Sequence, residues 1–281
     1  MIELHRRALL NVYAMLDTIA WDILFEAPHG LGATWTFMSE YADAILYNSN
    51  YTRKHVLRRF PLAASTRGLV CHHSFNPQDY GAADPYATAD EGDYIFLVGN
   101  SYEHKALYSA IELLTTGFPQ QKLRVLGLKS HPSPRVEAIE SGQVDVTAVD
   151  SLFAEAKLIV FPSSYEGFGF PVLKGLSYGR TVLARKSELL MEVAAGYRGP
   201  GRLVPFNSDY EFVDRFGRIL HNAMVEEIEL GSALQPEEKP LGWGDIARNV
   251  LDFLDGCIED PDRFRWVERE RAIRYLEAHS F

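Results

Sequence analysis

The residues with the plainest chemical promise lie between Phe161 and Gly179, in the run Phe-Pro-Ser-Ser-Tyr-Glu-Gly-Phe-Gly-Phe-Pro-Val-Leu-Lys-Gly-Leu-Ser-Tyr-Gly. Glu166 stands at the lip of a polar turn, where a carboxylate can accept hydrogen bonds from hydroxyl groups. Gly167, Phe168 and Gly169 follow it, and Pro171 opens a helical run that stops at Gly179. The apolar segment Leu158–Phe161 precedes the turn, so the stretch reads as strand, glycine loop and helix. Two glycines beside a helix start let the backbone approach a ligand with its N–H groups pointing outward. Such a terminus favours anions and hydroxyl-rich groups.

A second group follows the apolar run Tyr94–Val98, in the sequence Gly99-Asn100-Ser-Tyr-Glu-His104-Lys105. Strand, glycine, turn and helix start is the order in which a doubly wound fold holds phosphate. Lys105 alone reads as a solvated lysine, and Glu166 alone as a surface carboxylate. Beside its glycine loop, phosphate contact is the better reading for Lys105. His104, next to Lys105, lies within reach of the same phosphate.

Other chemistries have little to stand on. No Asp-x-Asp motif falls in a plausible site, and neither His-Glu-x-x-His nor a Gly-x-Ser-x-Gly elbow occurs. His72 and His73 are neighbours whose side chains diverge in a strand, so they read as structural or exposed. His29 and His131 sit beside prolines in loops. Cys71 and Cys257 are the two cysteines, which excludes a disulfide framework and a thiolate metal site.

The elements that must position these residues come from periodicity. Hydrophobic residues make up 47% of the 281, enough for a sizeable core. From Tyr94 onward strand and helix alternate, as a parallel sheet requires. Strands are expected at Tyr94–Val98, Leu123–Leu126, Val144–Val149, Leu158–Phe161, Thr181–Ala184 and Arg202–Val204. Helices are expected over His104–Thr116, 133–141, Ser151–Ala156, Val172–Tyr178, Glu188–Ala195 and Phe212–Met224. In the first of these, Leu107, Ala110, Ile111 and Leu114 share one face. A polar stretch, Gly231–Pro240, precedes two last helices, Trp243–Asp255 and Pro261–Ala278.

Before Tyr94, Leu9, Val12, Leu16, Ile19 and Ile23 are spaced as in an amphipathic helix. Its polar side is not basic, so a packed helix is favoured over a membrane-surface one, and no signal peptide or spanning helix is read. A turn at Pro28–Gly32, more helix, a strand over Ala42–Tyr47 and a helix from Thr52 to Phe60 follow. Val70–Phe75 leads into residues 76–93, which have linker composition.

The run from Phe161 to Leu173 resembles the signature of the group 1 (family 4) retaining glycosyltransferases, which have the GT-B fold. That pattern reads Pro-Ser-x-x-Glu-Gly-Phe-Gly-x-Pro-x-x-Glu-Ala, and here Lys174 replaces the second glutamate. Ala42–Lys54 is similar to the last strand and helix of the family's N-terminal half, and Gly242–Ala247 to the start of its closing helix. The resemblance covers residues 42 to about 255. It implies an α/β fold of GT-B type, a Rossmann-like parallel sheet flanked by helices. The expected layout is a partial acceptor-side domain over 1–75, a linker over 76–93, a nucleotide-sugar-binding domain over 94–240 and closing helices over 241–281. Family members have about a hundred more residues in front. Three readings stand side by side: a shortened chain, a split enzyme whose N-terminal half is a separate protein, or a reduced homologue.

The resemblance also implies roles. In the family an Arg and a Lys clamp the donor diphosphate; Lys105 matches the Lys, and Asn100 stands at the Arg position. Gly99 belongs to the same loop. Glu166 and the backbone amides of Gly167, Phe168 and Gly169 are expected to hold the donor sugar. The family's second glutamate accepts ribose hydroxyls, which a lysine with donors only cannot do. Lys174 therefore bonds a phosphate, marks lost donor binding, or faces solvent. The implied reaction is sugar transfer from a nucleotide-diphosphate donor to a hydroxyl acceptor, with retention and without a metal or other cofactor. The alternative is a non-catalytic GT-B remnant acting by nucleotide-sugar binding or protein contact.

The expected partners are a nucleotide sugar and a glycan, lipid-linked or small-molecule acceptor. Nucleic acid is not among them, because a formal net charge of −10 opposes phosphate-backbone binding. The cytoplasm is the expected location, with the inner membrane surface as a further setting, and polysaccharide biosynthesis is the expected pathway class.

Overall fold

The computed structural model describes residues 10–23, 31–81, 92–231, 240–259 and 266–278. The chain divides into two compact units, one of Met1–His73 with Gly242–Phe281 and one of Ser74–Leu241.

The first unit begins with strand β1 (Val12–Met15), helix α1 (Leu31–Tyr41), strand β2 (Ala44–Tyr47), helix α2 (Asn50–Arg59) and strand β3 (Arg67–Val70). The three strands form one parallel sheet in the order β1-β2-β3, with Val12 opposite Ala44 and Ala44 opposite Arg67. Ser49 caps α2, its hydroxyl accepting the Thr52 N–H at 2.9 Å. Met15, Met38, Ala42, Ile45, Tyr47 and Val56 form the core of this unit.

The second unit holds strand β4 (Tyr94–Val98), helix α3 (Leu107–Gly117), strands β5 (Lys122–Leu126) and β6 (Val136–Ile139), and helix α4 (Val146–Ala154). Strand β7 (Leu158–Phe161), helix α5 (Phe170–Ser177), strand β8 (Thr181–Arg185), helix α6 (Glu188–Gly196), strand β9 (Arg202–Phe206) and helix α7 (Asp209–Leu220) complete it. Its sheet runs β6-β5-β4-β7-β8-β9, and every pairing is parallel. The central strands are apolar on both faces, as a sheet covered on two sides requires. Ile95, Leu97, Leu158, Val160, Leu183 and Val204 are fully buried. The expected face of α3 is the one it buries, through Leu107, Ala110, Ile111 and Leu114. Each leucine and isoleucine among them contributes about 1.5–3 kcal/mol on leaving water.

The chain then re-enters the first unit as helices α8 (Trp243–Ile258) and α9 (Trp266–Ala278). Arg67 of β3 donates to the Gly256 carbonyl at 2.7 Å, and Tyr275 stacks on Phe37.

Three expectations are corrected here. Val12–Met15 is a strand, not part of a helix. A short apolar run has no period of its own, and pairing along β2 decides it. Residues 133–141 hold edge strand β6 instead of a helix. The strand pairs with β5 alone, so it needs little apolar alternation. Val144–Val149 is mostly helix, because the Asp145 side chain accepts the Ala148 N–H at 2.7 Å and caps α4. Most of the turn at Pro28–Gly32, most of the linker segment, most of Gly231–Pro240 and residues 261–265 lie outside the described residues.

Candidate functional site

Strand order fixes where two loops must meet. From β4 the chain moves outward through β5 and β6, and from β7 it moves outward the other way through β8 and β9. The direction therefore reverses between β4 and β7. A crevice opens at the carboxyl ends of such neighbouring strands, where open α/β sheets take their ligands. The loop after β4 carries Gly99 to Lys105, and the loop after β7 carries Glu166 to Gly169.

The two loops are joined. The Ser164 N–H donates to the His104 carbonyl at 2.7 Å, and the Ser164 hydroxyl donates to the same oxygen at 3.0 Å. Arg185 of β8 donates from Nε to the Pro162 carbonyl at 3.0 Å, fixing the base of the second loop. On this frame Lys105 Nζ lies 2.5 Å from Glu166 Oε1. These residues are 61 positions apart in the chain, and the fold makes them partners.

The other expected residues divide into several kinds. Gly99 donates its N–H to the Leu126 carbonyl at 3.1 Å. Asn100 folds its side chain into its own turn, accepting the Tyr102 N–H at 3.1 Å. His104 is buried, with its ring stacked against Tyr102. The Phe168 ring is also buried, packed with Phe75 and Phe170, which leaves its backbone as the part a ligand can use. Gly167 is half-buried beside Glu166. Gly169 holds φ +92° at the N-cap of α5, and a Cβ there would meet open space. Glycine is needed there for the backbone angle, not for room.

For Lys174 the structure bears on one of the three readings, that of a solvent-facing side chain. It is ion-paired with Asp150 on α4, and its ammonium lies 5.6 Å from the centre of the Phe153 ring. The side chains of Lys174 and Asp150 are 22% and 27% exposed, so Lys174 is not a solvent-facing lysine. Tyr178 lies close by, its hydroxyl pushed up to about 12 by burial and by the Asp150 charge.

Sequence reasoning missed Asp150, Arg185 and the role of Ser164 in joining the loops. Only the Pro-Ser-Ser turn carried a signal for the last. At Gly127 the need for glycine is steric. The residue has φ +102°, and a Cβ there would lie 1.8 Å from the Gly99 carbonyl oxygen. Among the described residues no three His, Cys, Asp or Glu side chains converge to hold a metal ion, and no helix is long and apolar enough to cross a membrane.

This fold is of the GT-B glycosyltransferase type. It is similar to that of WaaG, a glycosyltransferase involved in lipopolysaccharide biosynthesis, at 16% identity and TM-score 0.57, over 75% of this chain and 66% of that one. HepE from Anabaena, solved in complex with UDP and glucose, is similar at 14% identity and TM-score 0.60, over 87% and 71%. Sucrose-phosphate synthase from Thermosynechococcus elongatus is similar at 17% identity and TM-score 0.58, over 99% and 71%. The chain thus spans 66% to 71% of the length of these solved proteins. No curated protein sequence matches it. Residues 84–230, more than half of the chain, match the profile of the glycosyl transferases group 1, and the chain belongs to that family.

Proposed function

We propose that the chain binds a nucleotide-diphosphate sugar and moves its sugar to a hydroxyl acceptor, with retention at the anomeric carbon and without a metal ion. The observation that carries this reading is the meeting of Lys105 and Glu166 at the reversal point of the sheet, beside the Gly167–Gly169 backbone. Lys105 supplies positive charge to the leaving diphosphate, and Glu166 accepts hydrogen bonds from the sugar. Gly99 and the amides of Gly167, Phe168 and Gly169 provide close backbone approach. The bond from the anomeric carbon to the diphosphate oxygen breaks with its electron pair on that oxygen. The acceptor oxygen bonds to the same face of the sugar, and its proton passes to the departing phosphate. The protein positions and neutralises, and no carboxylate acts as nucleophile. The donor domain is assigned to residues 94–240 and the acceptor side to 1–75, with a glycan, lipid-linked or small-molecule acceptor in the cytoplasm or at the inner membrane surface.

One observation favours a second reading, a non-catalytic member of the family that works by protein contact. Asn100 carries no charge and is engaged in its own turn, and the two lysines expected near the donor, Lys105 and Lys174, are each already ion-paired with a carboxylate.

Calorimetric titration with UDP, GDP, ADP and TDP, with and without Mg²⁺, decides between the readings. Binding of one diphosphate, indifferent to Mg²⁺ and lost in Lys105→Ala, is the expected outcome. Failure of all four to bind overturns the donor reading and leaves the second. Once an acceptor is found, the anomeric configuration of the product, read by NMR, tests retention.

A further inference from the structure

The two groups assigned to adjacent parts of the donor, its diphosphate and its sugar, are bonded to each other. Lys105 and Glu166 share one ion pair, and their side chains are only 18% and 19% exposed. The loops that carry them are tied through Ser164 and the His104 carbonyl, which leaves side-chain rotation as the way to open the pair without breaking that tie. A ligand that takes Lys105 alone strips Glu166 of its cation and sets an anion beside a carboxylate. A ligand that offers hydroxyls alone strips Lys105 of its counter-charge. A ligand with a diphosphate and a sugar in one molecule satisfies both groups for a single opening of the pair.

We propose that Glu166 is a specificity-determining residue that discriminates against the bare nucleoside diphosphate in favour of the intact nucleotide sugar. After transfer, Glu166 recaptures Lys105 and the nucleoside diphosphate leaves. This inference rests on the donor-binding reading above. The physical content is a coupling between two subsites through one shared contact. The sugar and the diphosphate each remove the competitor of the other, and such coupling is reciprocal.

The test compares the dissociation constants of UDP and UDP-glucose, and of the GDP, ADP and TDP pairs, for the full chain and for Glu166→Gln. The substitution keeps the shape, removes the charge and leaves one acceptor oxygen beside an amide donor. Expected is a gain of about fivefold in affinity for the bare diphosphate, the scale of one partly exposed ion pair. Affinity for the nucleotide sugar does not rise, so the preference between the two ligands collapses. Unchanged or weaker binding of the bare diphosphate by Glu166→Gln, in a protein whose parent binds both ligands, overturns the proposal and leaves the donor reading intact. A parent chain that binds no member of any pair overturns both.

Discussion

The two parallel sheets of this protein end in different ways. At the carboxyl edge of the six-stranded sheet, Lys105 and Glu166 meet in a single contact on two tied loops. At the same edge of the three-stranded sheet, polar groups also gather, but they saturate one another. Asp22, beyond the end of β1, accepts from the Thr18 hydroxyl and from Arg59, and its Oδ2 lies 3.3 Å from His55 Nδ1. Asn48 and Thr52, at the start of α2, both donate to the Leu16 carbonyl. A polar cluster at a sheet edge is therefore not a site by its position alone. In the six-stranded sheet one exchangeable pair sits beside glycine backbone. In the three-stranded sheet a carboxylate with several protein donors binds its own structure together.

The comparison breaks most severely if the frame of the first edge is removed. Gly127→Ala would force a Cβ against the Gly99 carbonyl oxygen at a backbone angle that favours glycine. A loss of about 3 kcal/mol in urea unfolding is expected from strain and overpacking together, with loss of diphosphate binding as the Gly99 loop moves. Unfolding unchanged within error would show that the approach is not rigid.

A smaller effect tests the second edge. Burial alone would raise the pKa of Asp22. Hydrogen bonds from Thr18 and Arg59, with the charges of Arg59 and His55, outweigh it and hold the carboxyl below its usual value. A folded pKa below the unfolded one stabilises above about pH 4 and loses that contribution as the pH falls through the folded value. Asp22→Asn should lower stability at pH 7 by about 2 kcal/mol and flatten the acid side of the stability profile. An equal acid slope in both proteins would remove Asp22 from the account.

The smallest effect sharpens the contrast within the second unit. Lys174→Glu sets two carboxylates together at Asp150 and should destabilise by about 1 kcal/mol, with Asp150→Lys in the same chain restoring most of it. If the double variant stays as unstable as the single one, the pair is not the reason that Lys174 is held.

Much of the second unit was legible in the sequence. The central strands Tyr94–Val98 and Leu158–Phe161 stand where the apolar runs put them, because strands buried on both faces show as unbroken apolar runs. Helix α3 buries the face its spacing indicates. The errors fall where local pattern and pairing disagree. Edge strand β6 and helix α4 exchanged identities, since valines at 144, 146 and 149 suggest a strand while Asp145 supplies a cap. In the first unit, Val12–Met15 looked helical until β2 was there to pair with it.

The sequence by itself determined the alternating α/β class, the two glycine loops and the resemblance to group 1 glycosyltransferases. These depend on residues close together in the chain, where spacing and backbone chemistry act directly. Tertiary structure alone decided that Lys105 pairs with Glu166, that Lys174 belongs to Asp150 and that Asp22 gathers Thr18, His55 and Arg59. Such partners are set by strand order and by which helices share a layer. A charged side chain carries no local mark of the opposite charge that the fold will bring to it.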